Sequence, residues 1–467
     1  MPPPVAATSS RHPIPIPSWT PRGSNGWSRR PTNTAHTPSE SNAEVRSMKV
    51  SRTIGVIFLA LAILPLTISC GGGDGGSSTI VPEPTQESPE AVVITIGNLT
   101  DLTGPASVAM TTINMGLEDL VRYYNEQKLI PGVRLEVLHY DGQYDPSKDI
   151  PGYERLKEKG ADIIFTPVAS AVIALKPRLE ADRMVLFTVA PSKGAVEPGG
   201  YVFAVGSPFS EDLGYTLLKW VAENAPDFPK DRPARIGGAF WKDAYGHTLL
   251  TGAEAYVKDH PDQYVWDGSH LTGITFTWST EVEALKDCDY VIPPVPMNTF
   301  VKEFRDAGGK ARFIGTHAHD AFMGLIDDGN LWDEINGTLF LRASELWNDE
   351  GTTVKLMKQL LHQNHPDDAE AIIREGCGYL TGYNFYVMLE LMRKAVEVGG
   401  PQSFGSEAIF EAAESFSLTI DGVERETFTE TRRISINYLL MYELRAAEED
   451  EFRVPPLWYP IVPAPDE

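Results

Sequence analysis

Cysteine and positive charge are both scarce in this sequence. Three cysteines among 467 residues cannot support a disulfide-rich scaffold. Lysine and arginine together number 40 against 64 aspartates and glutamates, which gives a formal charge of −24. A protein that binds duplex nucleic acid or an anionic bilayer normally presents a basic face, and no run rich in lysine or arginine occurs in the chain. No nucleic acid partner is therefore expected.

The motifs of common enzyme classes are also missing. The body of the chain has no Gly-x-Ser-x-Gly nucleophile elbow, and no phosphate-binding or dinucleotide fingerprint follows a predicted strand. The paired carboxylates Asp327-Asp328 and Asp367-Asp368 lie beside loop residues, where solvated charge is the ordinary state. We therefore expect a protein without catalytic activity and without a cofactor.

Two histidine pairs raise the question of a metal site. His317 and His319 are separated by one residue in a predicted loop, and His362 and His365 precede Cys377. A zinc site needs at least three converging ligands, usually oriented by further hydrogen bonds, and the other candidate ligands are scattered along the chain. No metal is predicted.

The first 90 residues are not predicted to belong to the folded body. Residues 1–47 hold nine of the 36 prolines, a composition typical of disorder, and they are either disordered or untranslated because Met48 is a credible start. Residues 48–70 combine a positive start, a short apolar run and a small residue before Cys70, the pattern of a secretory signal. The run is shorter than the ~20 residues that a spanning helix needs, although a membrane anchor helix is the alternative.

The end of this segment resembles a bacterial lipobox, the signal whose cysteine is acylated and becomes the mature N-terminus. The matching residues are Leu66-Thr67-Ile68-Ser69-Cys70. A glycine- and serine-rich stretch at 71–90 follows, which is typical of a flexible linker. The resemblance implies an extracytoplasmic protein that contacts the membrane only through a lipid on Cys70.

From Ala91 onward, short β-rich runs alternate with amphipathic stretches. Val92–Ile96 is predicted as a strand, and the helix after it carries one apolar stripe that includes Ile113, Leu117 and Leu120. Such alternation predicts an α/β fold with parallel sheets. Because a folded region of this length is rarely built on a single sheet, we predict two Rossmann-like lobes joined by hinge crossovers. The predicted lobes are 91–207 with 338–420, and 208–337 with 421–467.

Cys288 and Cys377 remain in the body. Outside the cytoplasm they could pair, but a disulfide needs Cα atoms within ~7 Å, and the sequence does not decide this. Two small buried thiols are the favoured interpretation.

Five motifs, in order and spacing, resemble the type I periplasmic solute-binding proteins, and among them the branched-chain amino acid binding proteins of ABC importers. The likeness spans about residues 91–445. The motifs are Ile94–Pro105 with its Thr-Gly-Pro loop, Tyr140–Pro146, Ile163–Ser170 leading to Val185–Ser192, Trp241–Gly246, and Phe313–Thr316. The resemblance implies two lobes that close over a small solute in the cleft between them.

In that family, hydroxyl groups and backbone N–H groups of the first lobe hold the carboxylate of the solute. The matching positions are Ser170 and Ser192, with Ala169 and Ala190 supplying main chain. Independently of the family, Ser170 precedes a predicted helix, and helix N-termini offer unpaired N–H groups to an anion. A plain N-cap is the alternative role for each serine.

Three residues of the second lobe complete the predicted site. Tyr245 matches an aromatic side chain that closes over the solute, and Trp241 is a candidate wall of the pocket; burial in the core is the alternative for both. His317 falls where amino acid binders of the family place a carboxylate for the ammonium group of the ligand. Because histidine is a poor partner for a cation, with Asp320 as a possible substitute, the resemblance leaves an aromatic acid, an amide or another small anion as alternatives to an α-amino acid.

The expected function is therefore capture of a small solute for an ABC permease, by a lipid-tethered protein whose lobes rotate about hinge strands. A ligand-sensing receptor component with the same fold is the alternative.

Overall fold

The computed structural model describes residues 91–465. The predictions for residues 1–47, the signal at 48–70, the acylated Cys70 and the linker at 71–90 lie outside the described residues. No helix in the described part is long and apolar enough to cross a membrane.

A five-stranded parallel sheet forms the centre of the first lobe. Most of its residues are buried, as expected of a parallel sheet covered on both faces. Its strands are β1 (Val92–Thr100), β2 (Val133–Asp141), β3 (Ile163–Thr166), β4 (Leu186–Thr188) and β5 (Val202–Ala204). Their spatial order is β2-β1-β3-β4-β5.

A seven-stranded sheet forms the centre of the second lobe. The later strands are β6 (Ala234–Trp241), β7 (Tyr264–Thr272), β8 (Tyr290–Ile292), β9 (Arg312–Thr316), β10 (Leu339–Arg342), β11 (Ser417–Ile420), β12 (Val423–Thr427), β13 (Tyr438–Arg445) and β14 (Asp450–Pro460). The sheet order is β14-β13-β10-β9-β8-β6-β7, and β11 pairs with β12 in a separate hairpin. Strands β6 to β10 run parallel, whereas β13 and β14 join antiparallel.

Helices cover both sheets. They are α1 (Ser107–Gln127), α2 (Asp149–Glu158), α3 (Ala169–Asp182), α4 (Lys193–Val196), α5 (Ser210–Asn224), α6 (Ala244–Asp259), α7 (Ser279–Leu285), α8 (Asn298–Asp306), α9 (His317–Asp320), α10 (Met323–Asp328), α11 (Thr352–Asn364), α12 (Ala369–Glu375), α13 (Gly382–Gly399) and α14 (Ser406–Glu414). The apolar stripe predicted for the first helix is confirmed, since Ile113, Leu117 and Leu120 are all buried on α1.

The chain crosses between the sheets three times: after β5, after β10 and before β13. These crossings are residues 205–209, 343–351 and 428–437. The first and third run side by side, with a parallel bridge between Ala204 and Ile434. The predicted α/β fold of two lobes with parallel sheets and hinge crossovers is confirmed.

The lobe boundaries differ from those predicted. Strand β10, placed in the first lobe by the boundary at 338, lies between β9 and β13 in the sheet of the second lobe. The predicted boundary at 421 falls inside the hairpin of β11 and β12, whose flanking Phe416 and Phe428 pack in the hydrophobic cluster of the first lobe. Both errors have one cause: sheet membership depends on pairing between distant segments, which local periodicity does not report.

Cys288 and Cys377 are free and buried, as expected. The Cys288 thiol donates to Asp267 Oδ2 at 3.2 Å and the Cys377 thiol to the His317 carbonyl at 3.3 Å.

Candidate functional site

A cavity of about 150 Å³ lies between the lobes. It is located at the carboxyl ends of the parallel strands, where open α/β sheets bind ligands. Its lining is mainly apolar and aromatic and comes from both lobes: Ala106, Ala109, Met110, Ile113, Tyr144, Pro167, Ala169, Val189, Ala190, Ser207, Phe240, Trp241, Asp243, Tyr245, Val295, His317, Ala318, Ala321, Phe322, Cys377, Thr381 and Asn384. Neither lysine nor arginine is among them.

The start of α3 forms one end of the cavity. Ala169 is the first residue of this 14-residue helix and lines the cavity. Val168 before it makes no side-chain cap, so the first-turn N–H groups have no capping acceptor. The unpaired N–H groups and the positive end of the helix dipole both favour a carboxylate here. Ala190, after β4, also lines the cavity, and contact of the two alanines with a solute stays a prediction.

Neither predicted serine lines the cavity. Helix α3 begins before Ser170, so this residue lies inside the first turn, and its hydroxyl donates to Asp149 Oδ2 at 3.1 Å. Ser192 is buried at the start of α4, and its carbonyl accepts from the N–H groups of Ala195 and Val196 at 3.1 and 3.2 Å. The matching loops reach the cavity through Ala169 and Ala190, and a contact of either serine with a solute stays a prediction.

Tyr245 and Trp241 form part of the wall from the second lobe. The Tyr245 hydroxyl shares a hydrogen bond of 2.7 Å with Thr316 Oγ1, which fixes the ring against the end of β9. The Trp241 indole N–H donates to the carbonyl of Thr275 at 2.8 Å. Both side chains are therefore held by partners in their own lobe, and both line the cavity, while their contact with a solute stays a prediction.

His317 lines the cavity at the start of α9. Burial, the nearby Arg342 guanidinium and His319 lower the pKa of His317 to about 3, so the imidazole is neutral at physiological pH. A neutral imidazole has one donor and one acceptor nitrogen. It can therefore bind a hydroxyl, an amide or a carbonyl, but it supplies no charge for an ammonium group.

The remaining carboxylates near His317 are already paired. Asp320 forms a buried ion pair with Arg342 and does not line the cavity. Asp243 does line it, but its carboxylate caps α6 by accepting from the Gly246 N–H at 2.7 Å. Burial raises the pKa of Asp243. The site thus offers an ammonium group no carboxylate that lacks partners.

Histidines 317 and 319 do not converge on a metal. His319 Nδ1 accepts from the Thr316 N–H at 3.0 Å, and Nε2 faces the Pro293 carbonyl at 2.9 Å. Both nitrogens of His319 are therefore used by main chain. No group of three or more potential metal ligands occurs among the described residues.

Sequence reasoning missed a first-lobe residue that lines the cavity together with Asp243 of the second lobe. Tyr144 follows β2 in the first lobe, and burial together with the negative charge of Asp243 raises the pKa of its hydroxyl. Tyr144 has a left-handed backbone, with φ of 52°, which aims the side chain out of the turn. The sequence signal for this residue is its position in the acidic turn Tyr140–Pro146.

Asn384 on α13, with Thr381 just before the helix and Ser207 in the first crossing, was also missed. All three lie near the crossings. In such connecting segments the sequence does not distinguish a buried polar residue from an exposed one.

Comparison with known proteins agrees with this architecture. A family model described as periplasmic binding protein matches residues 93–446. A branched-chain amino acid ABC transporter protein from Thermus thermophilus with bound valine is similar in structure, with a TM-score of 0.67 and 18% identity over 79% of this chain and 97% of that one. No curated protein matches the chain.

Two further solved structures are similar to this chain. A fatty acid ABC transporter substrate-binding protein from Thermomonospora curvata has a TM-score of 0.65 and 17% identity, covering 78% of this chain and 91% of that one. A solute-binding protein of an ABC transporter from R. palustris, in complex with 4-hydroxybenzoate, has a TM-score of 0.64 and 16% identity, covering 80% and 98%. At these identities the likeness establishes the fold.

Proposed function

The chain belongs to the periplasmic binding protein family, and we propose that it captures a small carboxylic acid between its lobes and delivers it unchanged to an ABC permease. The observation that carries this proposal is the cavity itself, which residues of both lobes line at the carboxyl ends of both sheets. A solute held there contacts both lobes and favours their closed arrangement. It can shift that equilibrium only by its differential affinity for the closed form.

The first lobe provides the anchor for the carboxylate. The free N–H groups at the start of α3, next to Ala169, lie at the cavity wall. Charge-assisted hydrogen bonds to such groups are roughly twice as strong as neutral ones. Because the lining contains no lysine or arginine, main chain is the anion-binding element in this cavity.

The other end of the cavity favours an aromatic ring over an amino acid. A cavity of about 150 Å³ with apolar walls accommodates benzene in an engineered protein, and Phe240, Trp241, Tyr245 and Phe322 surround the space here. The neutral His317 suits an uncharged polar substituent. The R. palustris protein that is similar in structure was crystallised with 4-hydroxybenzoate. We therefore propose a single-ring aromatic acid without an ammonium group.

A thermal-shift and calorimetry panel tests both parts of the proposal. The panel contains 4-hydroxybenzoate, benzoate, benzamide, phenylalanine, valine and leucine. A ligand at a hundredfold excess over its Kd stabilises the native state by ~2.7 kcal/mol, so a cognate aromatic acid should raise the melting temperature by several degrees. Valine or leucine binding more tightly than the aromatic acids would refute the ligand class, and consumption of any compound would refute a pure binding role.

Attachment to the membrane is the second part of the proposed function. The lipobox-like Leu66–Cys70 followed by the glycine-rich stretch supports acylation of Cys70. Two or more acyl chains make such anchoring stable. A tether of this kind would hold the protein outside the cytoplasm, close to its permease.

A further inference from the structure

Asn384 lies where the cavity meets the first crossing between the lobes. Its side chain lines the cavity from α13 and is buried. The side-chain nitrogen Nδ2 donates to the carbonyls of Val205 and Gly206, both at 2.8 Å. These two residues begin the crossing that follows β5. A single side chain therefore contacts both the ligand space and a segment that must rotate when the lobes move.

The crossing is pressed closely against α13 at this point. Gly206 has a φ of +59°, and a Cβ there would lie 2.9 Å from Asn384 Nδ2 and 2.9 Å from a ring carbon of Tyr383. Only glycine combines this left-handed backbone with so close an approach. The position of Asn384 and the backbone of the crossing are consequently linked by packing as well as by hydrogen bonds.

The same crossing is bonded to the third one. The Gly206 N–H donates to Ser435 Oγ at 2.9 Å, and the Ser435 N–H donates to the Ala204 carbonyl at 3.1 Å. Ser435 Oγ in turn donates to Glu426 Oε2 at 2.6 Å. Asn384 thus belongs to one buried network that ties two of the three crossings to the first lobe. Ser435 itself does not line the cavity.

The carbonyl oxygen of Asn384 is the polar side-chain atom that does not bond to the crossing. Both hydrogens of Nδ2 point to main-chain carbonyls. Because only the amide nitrogen can donate to a carbonyl, these bonds fix the orientation of the amide and identify Oδ1 as the acceptor. Oδ1 accepts no hydrogen bond from the described residues. A hydroxyl or N–H of a bound solute is the matching donor.

We propose that Asn384 is the positioning residue through which ligand occupancy reaches the hinge: Oδ1 accepts from the ligand while Nδ2 holds the first crossing. The inference rests on the proposed function because it needs a ligand in the cavity. It adds that the solute carries a neutral hydrogen-bond donor as well as its carboxylate. Substitution at Asn384 should therefore change both ligand discrimination and the coupling to Ser435.

The first experiment compares the Kd values of two acids for the wild type and for variants of the cavity. Wild type should bind 4-hydroxybenzoate about tenfold more tightly than benzoate, as expected for ~1.4 kcal/mol from one hydrogen bond. N384A should bind the two acids within about twofold of each other. T381A, which alters another cavity residue that makes no bond to the crossing, is the control and should keep the preference. An unchanged preference in N384A would overturn the inference.

The second experiment measures coupling to the hinge in a double-mutant cycle, with 4-hydroxybenzoate as the probe. N384A and S435A should each raise the Kd. The fold-increase in the Kd of the double variant should be smaller than the product of the two single fold-increases, because both residues act in one network. T381A combined with S435A should give the simple product. A simple product for N384A with S435A, within about twofold, would refute the coupling.

A ligand-free measurement separates this inference from the proposed function. Hydrogen exchange of the peptide segment around Val205 and Gly206 should accelerate at least tenfold in N384A and remain at the wild-type rate in T381A. If neither acid binds the wild type, the proposed ligand class fails, and this measurement alone decides whether Asn384 holds the hinge. Equal exchange in N384A and wild type would overturn the inference whatever the ligand is.

Discussion

Tyr144 and Asp243 line the cavity from opposite lobes, and we expect a hydrogen bond between them to contribute to closure. Tyr144→Phe removes the hydroxyl that would donate to Asp243 and keeps the ring that lines the cavity. Because the two residues belong to different lobes, we expect opening to separate them, so the loss should act on closure. A hydrogen bond to a charged group is worth ~1.5–3 kcal/mol. Because Tyr144 is only half-buried, we use the lower value, which corresponds to about a tenfold increase in Kd.

The matched control is Tyr215→Phe. The Tyr215 hydroxyl donates to Asp259 Oδ2 at 3.0 Å, and both residues belong to helices α5 and α6, away from the cavity. This variant loses the same chemical pair, but the open and closed arrangements lose it equally. Its Kd should match the wild type although its stability falls.

Calorimetric titration of the tightest-binding acid from the panel, combined with small-angle scattering, provides the assay. Tyr144→Phe should need more ligand to reach the compact state, with the same scattering at saturation. Equal Kd values for Tyr144→Phe and wild type would show that the contact does not contribute to closure, and equal losses in both variants would show that the effect is general.

Three further predictions concern the site and one concerns the membrane anchor. Ala169→Pro deletes one N–H at the first position of α3, where proline is tolerated, so carboxylate binding should weaken about tenfold with little loss of stability; full affinity would move the anion site elsewhere. Ser192→Ala should leave the Kd within about twofold by calorimetry, since its side chain does not line the cavity, and a tenfold loss would contradict that geometry. His317 has a folded pKa lowered to about 3, so the unfolded chain binds more protons below about pH 6.5 and stability should fall as the pH drops; guanidinium unfolding at pH 7 and pH 4.5 should show a smaller fall for His317→Gln than for wild type. Cys70→Ser should release the protein from the membrane fraction, and retention there would refute the lipid anchor.

The sequence predicted the fold well wherever the information was local. The stripe of Ile113, Leu117 and Leu120 identified α1 because a helical period is visible within one segment. Strand β10 was placed in the wrong lobe because its neighbours β9 and β13 lie far apart in the chain. Hydrophobic periodicity predicts which face of a segment is buried, but it does not predict the sheet to which the segment belongs.

The site was predicted at the level of loops and only in part at the level of side chains. Ala169, Ala190, Trp241, Tyr245 and His317 all line the cavity, because the carboxyl ends of parallel strands meet there whatever the side chains are. Ser170 and Ser192 are not part of the lining, because a shift of one or two residues along a tight loop redirects a side chain and the start of a helix is uncertain from sequence by that much.

The position of Ser170 bears on ligand specificity. Its hydroxyl donates to Asp149, so a carboxylate bound as we propose would meet backbone N–H groups whose direction is set by α3 itself. A site made of main-chain N–H groups recognises the carboxylate of a ligand but discriminates little between the groups attached to it. Discrimination must then come from the other end of the cavity, where His317 and Asn384 present neutral polar atoms among aromatic walls. Exchanging Ala169 should consequently change the affinity for every acid in the panel alike, whereas exchanging His317 or Asn384 should change their order.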